Sequence, residues 1–177
     1  MSSKDNAAIS KLAKVFRKLG ANDPEGWAKS QVSEGIPQLA RFAFLKAAWQ
    51  EIVDDADASW ISSDVEEYEQ RPDAPYSGAG RALKRMKQLG VNENDIVDLV
   101  RAKQANLLFN FCSLLDGASI PEFMEEIESQ VAWVLMNIPE SGVEEPKAIG
   151  GLLESVLETD PSGREMRPRP ESPKRKT

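Results

Sequence analysis

The sequence predicts an all-α protein: a single bundle-like domain of about six or seven helices over residues 1–160, built around a central helix near residues 93–116, with a disordered basic tail over 161–177. Three observations carry this. Apolar residues recur three and four positions apart in one segment after another. Residues with helix-capping chemistry stand at the segment ends. No stretch of useful length alternates apolar and polar residues as a half-buried strand does, and no internal repeat appears. With 177 residues and 41% hydrophobic content, the chain is long enough to bury one core.

In the first helix Ile9, Leu12, Ala13, Phe16 and Leu19 share a face, and Gly20 can close it in a left-handed cap. In "ANDPEGW", Asp23 caps the next helix and Pro24 occupies the first turn, where no amide donor is needed. "IPQLARFAFLKAAWQEIV" forms a core helix: Leu39, Phe42, Lys46, Trp49 and Val53 make one face, which Ala43, Phe44 and Ile52 widen. Further on, Asn92 caps, Asp95 takes the capping-box position, Val91 staples to Ile96, and Gly117 ends the helix. This helix is apolar nearly all round from Ala105 to Leu115, which makes it the expected centre. Ser119 and Glu122 bracket Pro121 and open "PEFMEEIESQVAWVLMNI", where Met124, Ile127, Val131, Val134, Leu135 and Ile138 are expected to face inward. After the breaker-rich "PESGVEEPKAIGG", a short helix in "GLLESVLETD" is expected to dock through Leu152, Leu153, Val156 and Leu157, and "DPSG" to turn.

Composition narrows the function. The chain has no histidine, so Ser–His and Cys–His nucleophile activation within it is excluded and zinc lacks its usual nitrogen ligands. The single cysteine, Cys112, sits among apolar neighbours and reads as an inert core thiol; one cysteine permits no internal disulfide and suits a reducing cytoplasm. No apolar run approaches the ~20 residues of a membrane span, and the N-terminus lacks a signal-peptide core. Net charge is −7; six Lys/Arg against two Asp/Glu from Pro161 onward leave −11 on the body. Such a body repels nucleic-acid phosphates and anionic membranes, and attracts basic partners.

Four constellations are candidate sites. "DADASWISSDVE" places Asp55, Asp57, Ser59 and Glu66 near the ligand spacing of a calcium loop. Its sixth position, however, is Trp60 where the loop needs glycine, so the stretch reads as a helix start capped by Asp57 or Ser59, with Trp60, Ile61 and Val65 packing inward. No metal is therefore assigned. In "PYSGAGRALKRMKQLG", Ser77, Gly78 and Gly80 precede a helix bearing Arg81, Lys84 and Arg85, a candidate anion site. The bland alternative makes Ser77 an N-cap and gives the glycines a packing role. Arg101 and Gln104 project among the apolar residues of the central helix, where they either satisfy buried backbone groups or line a polar pocket. The pairs Glu51–Asp54, Glu122–Glu125 and Glu125–Glu128 lie one helical turn apart, as in helical magnesium-dependent hydrolases, but the same spacing suits solvated helix surface. Trp27, Trp49, Trp60 and Trp133 read as core or groove residues.

The segments "GRALKRMKQLGV", "NLLFNFCSLLD" and "GGLLESVLETDPSGREMRPRP" resemble an uncharacterised family of bacterial hypothetical proteins over the second half of the chain. The resemblance implies a bacterial source and supplies no activity, cofactor or site residue. Together these readings lead to the expectation of a cytoplasmic acidic helical interaction protein, an adaptor or inhibitor of a basic protein, with no cofactor. The alternative is a carboxylate-based, magnesium-dependent hydrolase of a phosphorylated small molecule.

Overall fold

The structure, a computed structural model, describes residues 2–117, 133–139 and 145–169. Among them are seven helices, α1 (Ser3–Leu19), α2 (Pro24–Glu34), α3 (Gln38–Gln50), α4 (Ser59–Gln70), α5 (Ser77–Gln88), α6 (Glu93–Leu115) and α7 (Leu152–Ser155), and two strands, β1 (Leu135–Asn137) and β2 (Lys147–Ile149). The protein is all-α apart from that small sheet. The chain divides into two compact units, one comprising Met1–Trp49 with Leu107–Thr177, the other Gln50–Asn106.

The first unit is organised by its caps and an aromatic trio. Ser2 and Asp5 form a reciprocal capping box at the start of α1, and Gly20 closes it at φ 84°. Asp23 accepts from the Gly26 amide at 2.9 Å and opens α2. Phe16, Trp27 and Phe42, from α1, α2 and α3, meet with ring centroids 5.3–5.9 Å apart, two of the three contacts edge-to-face. Each such pair adds about 0.5–1.5 kcal/mol beyond area burial. Ala13 and Ala28 complete this cluster. Lys46, on the apolar side of α3, donates to the Leu19 carbonyl at the end of α1. Trp49 is 2% exposed. Its indole N–H donates to the Val156 carbonyl at 3.0 Å and to Thr159 Oγ1 at 3.2 Å.

In the second unit Ile61, Leu83, Ile96 and Val97 form the core, with Trp60, Val65 and Met86 packed against it. Gly80 lies so close to α4 that an added Cβ would stand 2.7 Å from Tyr68 Cβ and 3.1 Å from the Asp64 carbonyl. Arg101 is 1% exposed. Its Nη1 donates to the Val53 carbonyl and its Nε stands 3.8 Å from Asp55, while Gln104 Oε1 accepts from the Val53 amide at 2.9 Å. Both backbone groups of Val53, left without helical partners where α3 stops at Gln50, are thus satisfied from α6.

Several expectations change. The predicted helix does not reach residues 133–138: Leu135, Met136 and Asn137 pair antiparallel with Ile149, Ala148 and Lys147. Pro139 disfavours helical backbone at Ile138, and the branched Val134 and Ile138 suit extended chain. Met124, Ile127 and Val131 lie outside the described residues. Val134 and Ile138 are exposed rather than inward, Leu135 is half-buried, and Trp133, read as core or groove, is exposed. The apolar ring of α6 is also incomplete, since Leu107, Phe109 and Phe111 are exposed. Leu152 and Val156 dock as expected, whereas Leu157 is exposed.

The first part of the basic tail is held in place. Asp160, buried, accepts from the Ser162 amide and hydroxyl and from the Met166 amide, and the Gly163 amide closes the "DPSG" turn on its carbonyl. Residues 170–177 lie outside the described residues.

Two outcomes follow. Arg101→Met keeps chain length but strands the Val53 carbonyl, so urea denaturation should register a loss of roughly 1–3 kcal/mol. Lys103→Met, on an exposed position of the same helix, should stay within about 0.5 kcal/mol of the parent. Equal losses would mean that the buried bond contributes nothing. Burial, aided by Asp116, pushes the Cys112 thiol from 9.0 up to about 11, leaving about one hundredth as much thiolate at pH 8 as the ordinary thiol has. Iodoacetamide at that pH should label Cys112 only in denaturant; rapid labelling of the native protein would contradict its burial.

Candidate functional site

The first unit carries a polar cleft of about 260 Å³ lined by Asp23, Gly26, Trp27, Ser30, Gln38, Arg41, Glu154, Ser155 and Glu158. Three elements supply it. The start of α2 brings Asp23, whose cap needs Gly26: a Cβ there would stand 2.1 Å from Asp23 Oδ2 and push the carboxylate off the amide. The start of α3 brings Gln38 and Arg41. It is fixed to α2 by Gln38 Nε2 donating to Ser30 Oγ at 2.8 Å and by the Leu39 amide donating to Gln31 Oε1 at 2.7 Å. α7 and the turn after it bring Glu154, Ser155 and Glu158. α7 is anchored by the Leu153 amide on Asp116 Oδ2 at 2.7 Å and by the Trp49 indole.

The polar groups here are not all satisfied. Gln38 is 7% exposed and its Oε1 has no hydrogen-bond partner; Arg41 Nε and Asp116 Oδ1 are likewise buried without partners. The Arg41 guanidinium lies against Gly151, which holds φ 70°; a Cβ there would stand 2.5–2.8 Å from the guanidinium atoms. Burial lowers the Arg41 pKa, and the charges of Asp116, Glu154 and Glu158 oppose that fall. Burial raises the Glu158 pKa; a hydrogen bond from Trp27 and the charge of Arg41 oppose the rise, while Asp23 and Glu165 add to it. The cleft lining thus carries Asp23, Glu154 and Glu158 against one cation, Arg41.

The residues singled out from sequence lie elsewhere. Ser77 is not the N-cap of α5: Tyr76 holds that place at φ 70°, and Ser77 is buried with its amide on the Ala74 carbonyl. The Ala79 amide bonds to Tyr76, so two of the helix-end donors are engaged within the turn. Arg81 donates to the Pro72 carbonyl at 3.0 Å and Lys84 pairs with Glu69; Gly78 and Arg85 are exposed. Arg101 and Gln104 hold Val53 rather than lining a cleft. In the calcium-like stretch, Ala58 is the N-cap of α4, Asp57 Oδ1 accepts from the Ser59 amide at 2.8 Å, Asp55 faces Arg101, and Glu66 is exposed on α4. Among the described residues no three His, Cys, Asp or Glu side chains gather as a metal site. Glu122, Glu125 and Glu128 lie outside the described residues. Of the cleft, sequence reading identified Asp23 only as a cap and Trp27 only as core or groove. The signal for the rest was Gln38 and Arg41 standing on the same helix as Phe42, Leu45 and Trp49.

Comparison with protein-family models, with curated proteins and with solved structures finds no match for this chain.

A titration tests the electrostatics. Carboxyl-carbon NMR should place the Glu158 midpoint above the ordinary value of 4.5, and Arg41→Gln, which removes a cation that opposes the rise, should lift it further. With the folded value raised, the fold favours the neutral acid. That stabilisation is fully present below the ordinary value and is lost as pH rises through the raised one. Glu158→Gln should accordingly match the parent's melting temperature at acid pH and exceed it slightly at pH 7. A midpoint below the ordinary glutamate value would refute the desolvated environment.

Proposed function

We propose that this chain is an acidic helical interaction protein of the cytoplasm, an adaptor or inhibitor that binds a basic protein. Neutralising a toxic or nucleic-acid-cleaving basic protein is its most concrete form. The observation that carries the reading is the state of the exposed carboxylates. Glu51, Asp54, Asp57 and Glu66 are exposed in the second unit and, among the described residues, none forms an ion pair. Such carboxylates raise the encounter rate with a basic surface and disfavour acidic ones. No helix among the described residues is long and apolar enough to cross a membrane.

Affinity capture with the intact protein, beside a variant carrying Glu51→Lys, Asp54→Lys, Asp57→Lys and Glu66→Lys, tests it. The expected captured protein is basic, is lost with the variant, and binds the purified chain with an affinity that falls at least about tenfold as salt shortens the Debye length from ~10 Å toward ~3 Å. A captured partner that is acidic, or whose affinity ignores salt, would sink the reading.

A further inference from the structure

We infer that the solvent face of α1 and the groove beside it form a docking surface for an acidic amphipathic segment of a protein partner. This surface goes beyond the functional reading above, which rests on carboxylates of the other unit and on a partner of opposite charge.

Helical spacing builds the surface. Lys4, Lys11, Lys14 and Lys18 recur at seven, three and four residues, so they share one face of α1. That face lies opposite Phe16, which packs on Trp27 and Phe42. All four lysines are exposed, and so is Lys29 on α2. Among the described residues none of these lysines forms an ion pair, while the neighbouring Arg17 pairs with Glu25. The stripe works against the helix that carries it. Lys4 stands in the first turn, at the positive end of the peptide dipoles. Lys14 has like charges one turn away on both sides, in Lys11 and Lys18, and such pairs are destabilising. The positions from which a carboxylate could answer them hold Ala7, Ala8, Ser10 and Val15. A chain of net charge −7 keeps an uncompensated cationic face on its first helix.

A groove of about 430 Å³ along the same helix defines the occupant. Half-buried Ile9 and buried Ala13 supply its apolar lining, and the exposed Lys14, Arg17 and Lys29 its cations. On α1 the lining extends from Asn6 to Arg17, ~16 Å of helix, which matches three turns of a partner segment. The two features ask for two chemistries on one ligand: carboxylates for the lysines and apolar side chains for Ile9 and Ala13. An acidic amphipathic helix laid in the groove presents both. Exposed ion pairs contribute little each, so the apolar contact supplies affinity, and the stripe sets orientation and encounter rate. A nucleic-acid backbone would use the lysines but leave the apolar lining unfilled, and it would meet a chain of like charge. A membrane would take up apolar side chains of α1, and those are committed to the core.

The test titrates the full chain with a designed helical peptide of leucine and glutamate in amphipathic register, followed by methyl and amide NMR. Saturable binding should shift the Ile9 and Ala13 methyl signals together with the amides of Lys11 and Lys14. A peptide with lysine for every glutamate, and one with alanine for every leucine, should each bind at least about tenfold more weakly. Lys11→Glu, Lys14→Glu and Lys18→Glu combined, all at exposed positions, should lower the affinity at least about tenfold and leave the circular dichroism of the parent intact. The peptide series on the parent chain stands even if that variant folds poorly. Equal binding of the three peptides, shifts confined to other regions, or undiminished affinity in a folded triple variant would each overturn the assignment. Tighter binding of duplex DNA or of phosphatidylglycerol vesicles than of the acidic peptide would give the stripe to a polyanion and overturn it as well. So would a change of oligomeric state in the triple variant by analytical ultracentrifugation, because a second copy would then be the occupant.

Discussion

The C-terminal half of the first unit depends on the indole of Trp49. α7 has only four residues, too few to hold a helical conformation by its own hydrogen bonds. Its place is set from outside. The Trp49 N–H reaches the Val156 carbonyl and Thr159 Oγ1, and Thr159 Oγ1 lies within 3.0 Å of the Ser155 and Val156 carbonyls. Leu152 and Val156, fully buried, add the apolar part of the anchorage. Every cleft residue contributed by the C-terminal region, Glu154, Ser155 and Glu158, takes its position from this attachment between residues more than a hundred apart in sequence. Asp160 extends the same logic past the helix by gathering the amides of Ser162 and Met166 onto one carboxylate.

The second unit solves a related problem with opposite materials. When α3 ends at Gln50, the chain continues through a half-buried Val53 that has no helical partner for its N–H or C=O. One turn of α6 supplies both missing groups, an acceptor from Gln104 and a donor from Arg101. Burying a guanidinium is costly unless it is paired, and here the Val53 carbonyl accepts from Nη1 while the Asp55 carboxylate stands 3.8 Å from Nε. A polar pair on an apolar helix face therefore has two physical readings, pocket or backbone repair. The deciding fact is where a distant helix stops.

That contrast explains what was legible. The end of α1 and the starts of α2 and α6 depend on local chemistry, so Gly20, Asp23, Pro24 and Asn92 announced them. The periodicity of Phe16, Phe42 and Trp49 located the core faces. Three-residue strands are too short to show a period, and Leu135 to Asn137 sit at the end of an apolar run that fits a helix equally well. Tyr76 at the N-cap of α5 was hidden because a left-handed tyrosine is contrary to local preference, whereas Ser77 fits it. The cleft was hidden for a different reason. Its lining comes from three segments, each of which reads alone as a cap, an amphipathic helix or a solvated turn.

The two units also differ in how completely their buried polar groups are matched. Around the cleft, Gln38 Oε1, Arg41 Nε and Asp116 Oδ1 all lack partners, and the charges of Asp116, Glu154 and Glu158 act on Arg41. In the second unit Trp60 Nε1 is a solitary indole donor beside an otherwise apolar core. The three around the cleft stand where charge is unbalanced and where Gly151 and Gly26 leave room for polar side chains. Local inconsistency of this kind is expected where a surface is shaped for something other than its own stability. The Trp49 attachment makes it tolerable, because a rigidly placed α7 keeps Glu154 and Glu158 from relaxing away from each other and from Arg41. The same contact that completes the fold thereby maintains an acceptor-rich cleft that the fold alone does not require.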